Sequence, residues 1–178
     1  GHNSLSQIVN ELGITNPSDI LNNLNRILHN TLRSGIKDDV TINDGMDLTV
    51  CSLNVDTNVL EFAGANNPLY LIKNNELTEI KGDKVAIGAE IGKQSYSYTN
   101  HEIQLEIGDT IYLFSDGYAD QFGGPRGKKL KYKVFKDILV DIHGRKMQDQ
   151  HKILNEKIVE WQGDLEQIDD VCILGVKV

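Results

Sequence analysis

Cysteine, proline and long apolar runs are what this chain is short of. It has two cysteines, Cys51 and Cys172, and three prolines in 178 residues. The cysteines lie far from any Cys-x-x-Cys spacing, which excludes a disulfide framework and a thiolate metal site. Both fall in β-prone stretches and read as reduced, buried small hydrophobes. The five histidines make no His-Glu-x-x-His or other paired ligand spacing. Ser115 has no Gly-x-Ser-x-Gly context, and no cysteine-centred phosphate loop occurs, so a covalent nucleophile has no candidate. No apolar run approaches membrane-spanning length and no signal-peptide pattern opens the chain, so a cytoplasmic setting is expected. Positive charge is the minority sign. Against 26 Asp and Glu stand 18 Lys and Arg, a net charge of −8 that argues against generic nucleic-acid or anionic-membrane binding.

What remains is an ordinary globular composition, 39% hydrophobic and 25% charged, long enough for one domain with a proper core. Leu5, Ile8, Val9 and Leu12 recur at helical spacing, and Gly13 stops that helix. Asn16 caps a second helix, with Pro17 at its first position and Asp19 in its first turn. Ile20, Leu21, Leu24, Ile27, Leu28 and Leu32 form its apolar stripe. The polar stretch from Arg33 to Gly45 reads as a loop. Asp47–Val55, Val59–Ala63, Leu69–Lys73 and Leu77–Ile80 read as consecutive strands of an antiparallel meander. Gly64–Pro68 is a tighter turn that either shapes a site floor or is structural. A further strand pair covers Tyr96–Leu105 and Thr110–Phe114. Tyr132, Phe135, Ile138, Leu139 and Ile142 mark a helix ending near Gly144, and Leu154, Ile158 and Trp161 mark another.

The chain is organised around Gly108 to Asp120. Thr110–Phe114 is apolar on both faces apart from its first residue, as a strand buried in a layered sandwich would be. Ser115-Asp116-Gly117 ends it, leaving a carboxylate held by the fold but aimed out of it, before a residue that lets the backbone turn sharply. An Asp-Gly pair after a strand is also a common turn. At the far end, Asp169-Asp170 immediately precedes another nearly all-apolar run, read as a second core strand. If the two strands are antiparallel neighbours, Asp116 and Asp169 converge. Two carboxylates without His or Cys suit a hard cation such as Mg²⁺ or Mn²⁺, and they equally suit a solvated strand end.

Between Gln121 and Lys133 three glycines and a proline accompany Arg126, Lys128, Lys129, Lys131 and Lys133. This is the most basic stretch of an acidic chain. Following the carboxylate directly, it either attracts a phosphorylated protein or balances local charge. Phe122 and Lys129 occupy positions that a Walker A loop gives to glycine and Ser/Thr, which excludes that motif.

Phe114-Ser115-Asp116-Gly117-Tyr118-Ala119-Asp120 and Asp169-Asp170-Val171 resemble the two downstream metal motifs of the metal-dependent PPM-type protein serine/threonine phosphatases, in their SpoIIE-like bacterial branch. Asp44-Gly45-Met46-Asp47, Ala63-Gly64-Ala65-Asn66-Asn67-Pro68-Leu69-Tyr70 and Ile87-Gly88 fit the same family in the same order. The resemblance implies an α+β fold, an antiparallel β-sandwich flanked by helices in an αββα arrangement. It implies Mn²⁺ or Mg²⁺ at Asp116, Gly117 and Asp169, with Asp120 and Asp170 assisting through water and Arg126 and Lys128 contacting substrate. Two metals would activate a water for in-line attack on phosphoserine or phosphothreonine.

The family also calls for upstream strands carrying an early Asp and then an Asp-x-x-Gly-His-Gly motif. Nothing before Asp44 supplies either. Residues 1–178 therefore resemble a single partial domain, truncated at its N-terminus, expected to bind metal weakly and to turn over phosphate esters poorly. A longer parent would join sensor domains to this one and act on a phosphoprotein, such as an anti-anti-sigma-type regulator. The second reading is a non-catalytic interaction domain on the same scaffold. Exposed sheet edges make a homodimer a further expectation.

Overall fold

The computed structural model describes residues 2–34, 45–89 and 96–178. Most of the expected polar loop, with Asp44, lies outside them. The chain divides into two compact units, each assembled from two stretches: Gly1–Leu69 with Lys81–Leu105, and Tyr70–Ile80 with Glu106–Val178.

In the first unit, helix α1 (His2–Ser6) runs on through a wider helical turn, Gln7–Glu11. Gly13 ends it in the left-handed region, φ +66°, as the sequence predicts. Helix α2 (Pro17–Ser34) starts at the predicted cap, because Asn16 Oδ1 accepts the backbone N–H groups of Ser18 and Asp19 at 3.1 and 3.2 Å. That satisfies two donors with no intrahelical partner. Its apolar stripe, Ile20, Leu21 and Leu24, packs with Ile8, Ala63, Ala65, Ile87 and Tyr98 into one core. The sheet beneath holds β1 (Leu48–Asn54), β2 (Val59–Ala65) and later β5 (His101–Gln104), in the order β1-β2-β5 and antiparallel throughout.

The second unit holds β3 (Leu69–Lys73), β4 (Glu76–Ile80), β6 (Thr110–Phe114) and β9 (Ile173–Lys177) in the order β4-β3-β6-β9. Asn74 and Asn75 both take positive φ, 51° and 65°, as the tight turn joining β3 to β4 requires. Between β6 and β9 the chain forms helix α3 (Gly117–Asp120), a small hairpin of β7 (Phe122–Gly123) and β8 (Lys128–Lys129), and helices α4 (Tyr132–Ile142) and α5 (Met147–Gln162). The apolar faces of α4 and α5 cover the sheet in a core that includes Tyr70, Ile72, Tyr112, Phe114, Tyr118, Phe135, Leu139 and Leu154. Two hydroxyls fix α5: Tyr112 donates to Gln150 Oε1 at 2.6 Å and Tyr118 to the Leu154 carbonyl at 3.0 Å. The fold is α+β, with antiparallel sheets flanked by helices.

Four expectations are corrected, the burial of Cys172 among them. The predicted meander is split: β2 and β3 lie in different sheets, because Asn67 N–H turns back to the Ala65 carbonyl at 2.8 Å and Pro68 has no N–H to extend the ladder. The predicted pairing of Tyr96–Leu105 with Thr110–Phe114 does not occur; β5 pairs with β2, and β6 lies between β3 and β9. The last strand is an edge rather than a core strand, with Leu174 55% exposed. Cys172, just before it, is exposed, whereas Cys51 is half-buried. Burial pushes the Cys51 thiol up to about 12, so it stays protonated and inert.

Candidate metal-binding end of the second unit

The pairing of β6 with β9 builds the site. Phe114 lies opposite Ile173 in an antiparallel register, so the exit of one strand adjoins the entry of the other, the strand placement from which Asp116 and Asp169 were expected to converge. Ser115 clamps the junction. Its N–H donates to the Cys172 carbonyl at 3.0 Å and its Oγ–H to the Asp170 carbonyl at 2.7 Å, while its Oγ accepts from Cys172 N–H at 2.9 Å. Asp116 then takes helical geometry, φ −70° and ψ −20°, and its carbonyl accepts the Asp120 N–H at 2.9 Å.

Gly117 is needed for space rather than for backbone freedom. It is not among the glycines of positive φ, but a Cβ there would overlap the Asp170 carbonyl oxygen and lie 2.9 Å from the Asp170 carbonyl carbon. The absent side chain lets the Asp169-Asp170 backbone close on the start of α3. That corrects the reading of Gly117 as a sharp-turn residue.

Asp116, Asp169 and Asp170 are all exposed. Asp169 Oδ1 accepts the Asp170 N–H at 2.7 Å, and its carbonyl accepts Gln167 Nε2 at 2.8 Å. Asp120 is engaged instead by Lys129, whose Nζ lies 2.7 Å from Oδ2. Tyr132, read from sequence only as a helix-core marker, is 41% exposed. Its phenol is raised by partial burial and then by the negative charges of Asp116, Asp120 and Glu79. The hairpin returns Tyr132 to the carboxylates, and sequence separation hides that proximity. Arg126 and Lys128 sit on the hairpin, both exposed.

Of the other stretches carrying the family resemblance, Gly45–Asp47, Ala63–Leu69 and Ile87-Gly88 lie in the first unit. Met46 and Ile87 exchange backbone hydrogen bonds of 2.8 Å each, and Asn66 N–H donates to the Asp83 carbonyl at 2.8 Å. Gly64 and Gly82 approach Asn67 so closely that a Cβ at either would overlap its carbonyl oxygen. Gly64–Pro68 is thus a packed structural turn.

A profile described as stage II sporulation protein E (SpoIIE) matches residues 3–178. The chain belongs to the SpoIIE family. This SpoIIE-family chain superposes on the SiaA-PP2C domain of Pseudomonas aeruginosa with a TM-score of 0.85 and 28% identity, over 99% of its own length and 66% of that chain. The RsbU and RsbW domains of a Mycobacterium tuberculosis protein match 98% of it at 17% identity and a TM-score of 0.71, with 45% of that chain covered. The SpoIIE phosphatase domain of Bacillus subtilis matches 86% at 14% identity and a TM-score of 0.56, with 72% covered. The last two show the fold alone. The chain thus spans about two thirds or less of the first and second of these. Among curated proteins, none matches.

Asp116 and Asp169 offer hard oxygen donors, the right kind for Mg²⁺ or Mn²⁺. Their number falls short. Among the described residues no group of three or more His, Cys, Asp or Glu side chains is placed to hold a metal ion. Two carboxylates do not make a closed two-metal site.

Proposed function

We propose that this chain is the larger part of a metal-dependent serine/threonine phosphatase domain, acting in a cytoplasmic bacterial signalling pathway on a phosphoprotein such as an anti-anti-sigma-type regulator. Family membership over residues 3–178 supports the class. The single observation that carries the site is the Gly117 contact with Asp170, which brings the Asp116 and Asp169 backbones to one strand junction. Mn²⁺ or Mg²⁺ there would supply a nucleophilic water at neutral pH. The chain's own residues contribute two metal-ligand carboxylates, Asp120 and Asp170 beside them, and Arg126 and Lys128 toward the substrate. With too few ligands for tight binding, the 178 residues alone bind metal weakly and turn over little. Residues 1–178 act as one partial domain, to which a longer protein adds further ligands and sensor domains.

The test is hydrolysis of an aryl phosphate with and without Mn²⁺, beside Asp116→Ala. Turnover near background for the 178 residues, together with metal-dependent turnover lost on Asp116→Ala in a longer chain, is the expected result. A tight stoichiometric two-metal site by calorimetry in these residues would overturn the incomplete-site reading. That no three-ligand group occurs among the described residues is compatible with a second reading, a phosphatase scaffold kept for docking; a longer chain that stays inactive would select it. The open edge of β9 supports homodimerisation, which light scattering at rising concentration checks.

A further inference from the structure

The basic hairpin after α3 is a built cleft. Gly123, Pro125, Arg126, Lys128, Lys129, Lys131 and Trp161 line a hollow of about 370 Å³. Its wall is fixed at several points. Gly124 N–H donates to the Trp161 carbonyl at 2.7 Å, and Trp161 Nε1–H donates to the Gln121 carbonyl at 3.0 Å. A Cβ on Gly123 would overlap the Trp161 backbone, and one on Gly124 would come within 2.7 Å of the indole ring. Leu130 and Lys131 N–H groups tie the returning strand to Gln121 and Ala119 at 3.0 and 2.7 Å. A loop whose only task was to stay solvated would not need a tryptophan packed into two glycines.

The charges in this cleft are not balanced. Lys129 is committed to Asp120 at 2.7 Å. Arg126, Lys128 and Lys131 have no ion-pair partner among the described residues, although the chain carries a net charge of −8. Gathering three unpaired cations on a fixed wall is unfavourable on its own and becomes favourable when an anion joins them. Arg126 offers the planar fork that suits a carboxylate or phosphate, and the lysines add point charges. The Trp161 ring gives the cleft an apolar side against which a side-chain stem can lie.

We propose that this cleft is a docking subsite for an anionic side chain, carboxylate or phosphate, on a polypeptide partner, separate from the phosphate at the carboxylate end. It rests on the phosphatase reading only in taking that partner to be the substrate. The Lys129–Asp120 pair joins the cleft to α3, one turn from Asp116, so an occupant is held beside the proposed metal end.

Trp161 is the only tryptophan in the chain, so its emission reports the cleft directly. Metal-free protein is titrated with four probes of similar length: a glutamate-rich peptide, a neutral peptide carrying one phosphoserine, the neutral parent peptide and a single-stranded oligonucleotide. Calorimetry runs alongside. The expected result is saturable binding of one or both anionic peptides, weakened by salt, with the neutral parent silent. Arg126→Gln with Lys128→Gln, and separately Lys131→Gln, weaken it about tenfold or more with an unchanged circular dichroism spectrum. The tighter of the two anionic peptides identifies the source of the charge. Equal binding of the neutral peptide, no binding by either method, undiminished binding in the folded variants, or tighter binding of the oligonucleotide than of either peptide overturns the proposal. Because the titration needs no turnover, an inactive longer chain with an intact cleft sinks only the phosphatase reading.

Discussion

At the scale of single residues, the site depends on two small groups rather than on its carboxylates. Ser115 holds the Asp170 and Cys172 backbone by three hydrogen bonds, and Gly117 lets the Asp169-Asp170 backbone close in by having no Cβ. Gly117→Ala forces a methyl group against backbone atoms that have no rotamer with which to yield. The expected cost is about 1–3 kcal/mol, read as a lower urea midpoint with an unchanged slope. Weaker Mn²⁺ binding in a longer chain should accompany it, since Asp116 and Asp169 move apart. An unchanged midpoint would mean that the junction is soft and that the glycine has no spatial role. The strand ends that carry Asp116 and Asp169 were legible in the sequence, because a turn after one apolar run and an acidic pair before another are local signals. The Asp120–Lys129 pair and the return of Tyr132 were not. Both depend on a hairpin whose path is set by Trp161, some 30 residues further on.

At the scale of elements, the helices other than the four-residue α3 and the strands other than the β7–β8 hairpin were legible, from apolar periodicity, the Asn16 cap and the Asn74-Asn75 turn. Partner choice among strands was not. Periodicity identifies a strand and its buried face, but the sheet it joins is decided by long-range packing. For β9, the run of apolar residues suggested a core strand, whereas the pairing leaves it at an edge. Tyr112 on β6 and Tyr118 on α3 hold α5 through their hydroxyls, and burial pushes both phenols up to about 12. An unfolded tyrosine titrates near ~10. Between these values the folded chain holds more protons than the unfolded one, so stability falls as pH rises. The contribution is complete below about pH 10 and is lost on approaching pH 12. Urea midpoints measured from pH 8 to 11.5 should therefore drop steeply above pH 10. Tyr112→Phe should be less stable at pH 8, because buried Gln150 Oε1 loses its donor at a cost of about 1–3 kcal/mol, and should show a shallower alkaline fall. A flat profile in the parent protein would show that the phenols titrate freely.

For the whole molecule, connectivity makes separation of the two units difficult. The first unit needs residues from both sides of β3–β4, and the second needs Tyr70–Ile80 as well as everything after Leu105. The chain passes from one unit to the other three times. A contiguous piece covering 106–178 would keep β6, β9 and the helices that pack on them but would lose β3 and β4. Loss of β3 removes Tyr70 and Ile72 from the core and strips β6 of one of its two neighbours. Tyr70 packs on Phe114 at a ring-centroid distance of 4.4 Å, so the vacancy would open beside the strand that ends at Asp116. Deleting a buried aromatic group costs about 3–5 kcal/mol, a large share of the ~5–15 kcal/mol that a domain this size possesses. We therefore expect residues 106–178 alone to lack cooperative unfolding and dispersed amide resonances. The full 178 residues should unfold in one transition, with Trp161 emission and far-ultraviolet circular dichroism superimposing. A folded 106–178 piece, or two separated transitions, would instead make the units independent domains, and the single-domain reading of residues 1–178 would fall.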